Sequence, residues 1–136
     1  MKMDPGIKRL RWVMIATLLG DLTVTFAGQP ASYWRNPSTV TESNRYMKPF
    51  LSSGAAPMLL ATLFGVAGLL YTVTGLPKKW SLMLVLAVTF TGYFGISSWL
   101  VYDFHLGSAA EMIGAIVLAV VLVAAGLDTR QESRTE

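Results

Sequence analysis

Four long apolar runs lie along this chain, and most of its charged residues fall between or beyond them. The first goes from Trp12 to Gly28, the second from Phe50 to Gly75, the third from Trp80 to Tyr102 and the fourth from Ala109 to Leu127. At about 1.5 Å of rise per residue such runs make helices of roughly 25 to 40 Å against a hydrocarbon core about 30 Å thick, so the first is short but can span and the others approach or exceed the full thickness. The pattern therefore predicts an all-α, polytopic membrane protein. Its transmembrane helices, at 12–28, 50–75, 80–102 and 109–127, form one four-helix bundle over residues 1–136. A secretory leader is the competing reading of the first run, because basic residues precede it and small ones follow. Asp21 in its middle argues against that reading.

Local signals refine the elements. Pro57, near the start of the second run, predicts a tilted or kinked helix. Trp80 at one end of the third run and Trp99 with Tyr102 at the other match the aromatic belts of a membrane's two interfaces. Ser108 and Glu111 have capping-box spacing, which sets the fourth helix to begin at Ala109. The connections are unequal. Only Leu76 to Lys79 separates the second and third runs, whereas an outer loop over 29–49 separates the first and second. That loop holds the cluster Tyr33, Trp34, Arg35, Asn36 and Pro37, then Thr39 and Glu42 at the spacing of a second capping box. It is expected to be ordered and to carry a short interfacial helix.

Charge sets the orientation. Of eleven basic residues, Lys2, Lys8, Arg9, Arg11, Lys78, Lys79, Arg130 and Arg134 would share one side and Arg35, Arg45 and Lys48 the other. The positive-inside rule then puts both termini in the cytoplasm, for a multi-pass protein of the plasma (inner) membrane. The net charge of +3 is accounted for by this topology, so nucleic acid is not an expected partner. With no cysteine the chain holds no iron–sulfur cluster, and its single histidine excludes a bis-histidine haem from this chain alone.

Asp21 is the most informative residue, because a carboxylate near the centre of a spanning helix costs about 2.5 to 3.5 kcal/mol on insertion scales. Thr25 follows one turn later on the same face. Two readings stay open for this pair, an interhelical hydrogen bond and a proton or ion site. Asp21, Glu42, His105 and Glu111 are together a candidate hard-ligand metal set, each of the last three also having an ordinary structural explanation. Small residues in the outer halves of the last three runs, beneath Tyr33 and Trp34, allow either close packing or a pocket for a lipid or quinone. Trp99 and Tyr102 are its further candidate walls.

The sequence Gly20-Asp21-Leu-Thr23, with Gly28-Gln-Pro30, Tyr33-Trp34, Asn36-Pro37 and Glu42-Ser-Asn44, resembles small uncharacterised bacterial four-helix integral membrane proteins. The resemblance covers mainly residues 20–60, and Arg45 stands where that group carries proline. It implies a fold and no reaction. The leading functional expectation is an accessory or scaffold subunit of a larger membrane complex, with membrane lipids and other subunits or a second copy as partners. Two alternatives are a carboxylate/histidine site acting on a lipid or quinone and a small proton-coupled carrier. No sequence signal marks an enzyme.

Overall fold

A computed structural model describes residues 5–42 and 45–132. It is all-helical among those residues. Helix α1 spans Pro5–Ala27, α2 Lys48–Ser52, α3 Ala55–Gly75, α4 Lys78–Ser98 and α5 Gly107–Glu132. A 3-10 turn at Pro37–Thr39 and a π-helical turn at Trp99–Asp103 complete the regular structure. Four of the helices are long and apolar enough to cross a membrane, as the hydrophobic pattern predicts.

Helix α1 begins seven residues before the expected Trp12. Ile7, Leu10 and Met14 recur at helical spacing and are all buried, so their shared face extends the helix through the basic residues. Asp21 consequently lies about 9 Å from the α1 end that meets the 28–47 loop, not at the middle of its helix.

The second run is two helices rather than one. At Gly54 the backbone takes a φ of +112°, a conformation that strains any residue with a Cβ, and the chain turns there between α2 and α3. Pro57 therefore falls in the first turn of α3, where its missing N–H costs nothing, and no kink is needed. Two capping boxes also fail to form. Thr39 sits inside the 3-10 turn, whose cap is Asn36, its side-chain oxygen accepting from Ser38 N at 3.2 Å and Ser38 Oγ at 2.8 Å. Ser108 is already within α5, which starts at Gly107, itself at a φ of +75°.

Between α3 and α4 the turn is two residues long. The Val73 carbonyl would ordinarily accept from the amide four residues on, but that residue is Pro77, which has none. The Ser81 hydroxyl supplies the missing donor from α4. Helices α1 and α4 form the most extensive contact in the bundle. Gly92 permits it, since a Cβ there would stand 3.1 Å from the Thr17 backbone. Helix α5 is held to α4 by the Tyr93 hydroxyl, which donates to the Glu111 carbonyl.

Two apolar clusters hold the bundle. One, at the end of the bundle opposite the loop, gathers Ile7, Leu10 and Met14 of α1 with Val73 of α3 and Val85 of α4. The other, at the loop end, gathers Tyr33, Leu51 and Met58, with Leu22, Phe26, Val40 and Met47 against it.

Candidate functional site

Between these two clusters lies a cavity of about 400 Å³, walled by α1, α3 and α4 and roofed by the loop and α2. Leu18 and Leu69 of the first cluster's fringe and Leu22, Met47 and Met58 of the second line its two ends. Its size falls within the roughly 300 to 1,000 Å³ of small-molecule sites. On α1, Asp21 and Thr25 face it together, as one helical turn of separation requires. On α4, Thr91, Gly95 and Ser98 repeat that spacing, while α3 gives a mainly apolar wall through Met58, Ala61, Val66 and Leu69.

The Asp21 carboxyl group occupies the space left by the absent side chain of Gly95, since a Cβ built there would overlap it. Among the described residues, nothing donates a hydrogen bond to that carboxyl group. Its contribution to the α1–α4 contact is therefore packing against glycine, and its oxygens remain available to the cavity.

Glu42 reaches the same cavity from the loop, because the loop is tied down. Buried Gln29 donates from Nε2 to the carbonyls of Thr25 and Thr41, each at 3.0 Å, and its Oε1 accepts from Thr41 N at 3.0 Å. This pair of bonds to Thr41 imitates a strand ladder with one side chain and fixes the residue beside Glu42. Tyr33 anchors the loop's other half. Only 1% exposed, it donates from its hydroxyl to the Leu51 carbonyl at 3.1 Å, and burial raises its phenol above the usual value.

Of the aromatic residues expected to wall a pocket, Trp99 does so. The π-helical turn that it opens, closed by Phe104 N donating to Trp99 O at 2.9 Å, leaves its side chain 6% exposed over Gly28 and along the cavity. Tyr33 is buried in the adjoining cluster instead. Trp34 packs on Tyr33 and Phe26 with its outer face exposed, and Tyr102 points away at 75% exposure. Asp21 and Glu42 are the members of the candidate metal set that share the cavity. His105 is exposed in the α4–α5 turn at a φ of +56°, and Glu111 lies on α5 with its carbonyl taken by Tyr93. Among the described residues no three metal-ligating side chains converge.

No protein family, curated protein or solved structure matches this chain.

Sequence reasoning did not single out Gln29, Thr62 or Thr91. Gln29 directly follows the apolar run, where a buried amide is hard to foresee from spacing. Thr91 was detectable, being four residues before Gly95 and seven before Ser98 on one face of an apolar helix.

Proposed function

We propose that this chain is a multi-pass membrane protein that binds a small amphipathic molecule in the cavity beside Asp21. The observation that carries the reading is the joint placement of Asp21 and Glu42 in a cavity otherwise dominated by apolar and aromatic side chains. Such a site combines a large apolar surface with a few fixed polar groups that orient the guest. An intramembrane carboxylate that merely packed would be a standing cost, and one that meets a guest offsets it.

Native mass spectrometry of the gently solubilised protein tests this. The wild type should carry a small-molecule or lipid adduct, and Ala61→Trp, which fills the cavity from the α3 wall, should lose it while keeping its thermal stability within a few degrees. The same adducts in both proteins would overturn the reading.

The orientation proposed for the bundle has both termini in the cytoplasm of a plasma-membrane protein, on the support of the basic residues at the terminal end and at the α3–α4 turn. A single cysteine at Ser32 should react with an impermeant reagent added to intact cells. Labelling at Ser32 only after the membrane is opened would reverse the topology.

A second reading, an accessory subunit of a larger membrane complex, is favoured by α3 and α5. Leu59, Leu63, Phe64 and Tyr71 of α3 and Met112, Ile113, Ile116 and Val120 of α5 are exposed on this chain. Lipid or a neighbouring subunit would cover them. A stoichiometric partner retained through purification in mild detergent would favour the subunit.

A further inference from the structure

The hydrogen-bonding capacity of the cavity is lopsided, and the imbalance specifies a guest. Thr62 donates its hydroxyl hydrogen to Met58 O at 3.0 Å, Thr91 to Ala87 O at 2.9 Å and Ser98 to Gly95 O at 2.8 Å. Each hydrogen is spent inside its own helix, so each hydroxyl can meet a guest only as an acceptor. Asp21 and Glu42, when ionised, are acceptors only. Against these five groups, Thr25 and the Trp99 indole are the remaining side-chain donors of the described lining. Both charged residues of that lining are acidic, although the chain as a whole carries +3.

A guest that suits this interior brings hydrogens and positive charge at one end and hydrocarbon at the other. A phosphate or carboxylate head would meet two negative groups. A quinone, which offers acceptors, would find five acceptors and few donors.

We infer that the cavity recognises a protonated alkylamine, its ammonium head set between Asp21 and Glu42 beside Gly95, and its chain along the α3 wall. This rests on the ligand-binding reading above and narrows it to one class of guest. Trp99 adds an aromatic surface suited to a cation.

The test compares four eight-carbon probes, octylammonium, octyltrimethylammonium, octanol and octanoate, on the full chain in neutral phosphatidylcholine nanodiscs. Binding is read by titration calorimetry, with empty nanodiscs subtracted to remove partitioning into lipid. Octylammonium should bind about tenfold or more tightly than octyltrimethylammonium, which keeps the charge but has no N–H, and than octanol, which keeps a donor but has no charge. Octanoate should not bind measurably. Asp21→Asn and Glu42→Gln should each weaken octylammonium by about tenfold while leaving octanol within about twofold, a split that general damage to the fold would not produce.

If octanol or octyltrimethylammonium equals octylammonium in the wild type, or if neither carboxamide variant changes the order, the amine assignment is wrong while the cavity still binds amphiphiles. If none of the four binds and Ala61→Trp keeps the wild-type adducts, the ligand-binding reading falls as well.

Discussion

Tyr33→Ala is expected to cost about 3 to 5 kcal/mol and to release the loop from the bundle, as deletion of a fully buried aromatic side chain does. The side chain touches both sides of the loop end. It packs with Leu51 and Met58 and donates to the Leu51 carbonyl, so its removal leaves a void and an acceptor without its partner. Tyr33→Phe, which loses the hydrogen bond alone, should cost only about 1 kcal/mol. Thermal unfolding in mild detergent measures the difference, and trypsin reports its location through cleavage after Arg35 and Arg45. The wild type and Tyr33→Phe should resist cleavage and Tyr33→Ala should not. Equal resistance of all three would mean that Tyr33 does not hold the loop. The raised phenol value adds a pH signature. The stabilisation is fully present below the ordinary tyrosine value of 10.0 and is lost as pH rises through the higher folded value, so Tyr33→Phe should lose less stability than the wild type in that alkaline range.

Gly28→Ala is the second substitution with a large expected effect. A Cβ at this position would overlap the Trp99 ring, so either the ring leaves its place or α1 parts from the π-helical turn. Overpacking of this kind costs about 1 to 3 kcal/mol. The consequence reaches the cavity because Trp99 is one of its walls, and octylammonium affinity should fall with stability. Gly68→Ala is the matched control. Nothing lies within 4 Å of a Cβ there, and replacing a mid-helix glycine should raise stability by up to about 1 kcal/mol with no change in binding. A Gly28→Ala protein as stable as the wild type, with unchanged tryptophan emission, would show that Trp99 has room to move without consequence.

The apolar runs made the four long helices legible because length and hydropathy alone decide them. Their ends were not. The start of α1 depended on whether Ile7 and Leu10 are buried, which the basic residues between them conceal. The break at Gly54 was hidden by apolar neighbours on both sides, and Pro57 drew attention to the wrong residue. Both capping boxes had the right spacing, yet Asn36 and the turn at Gly107 satisfied the local geometry first. Asp21, Thr25 and Trp99 were visible as candidates because a carboxylate, a hydroxyl on its face and an aromatic residue are unusual or informative within membrane segments. That Glu42 joins them follows from Gln29, whose paired bonds to Thr41 link residues twelve apart. No periodicity encodes such a contact.

The Ser81 bond to the Val73 carbonyl makes the end of α3 depend on α4. A proline at the α3–α4 turn leaves one carbonyl without its usual amide, and burying that group unpaired would cost about 1 to 3 kcal/mol. Because the donor comes from the next helix, the debt is cleared only when α3 and α4 are side by side. The two helices are thus coupled as a hairpin, so that Ser81→Ala should loosen the end of α3 as well as its contact with α4.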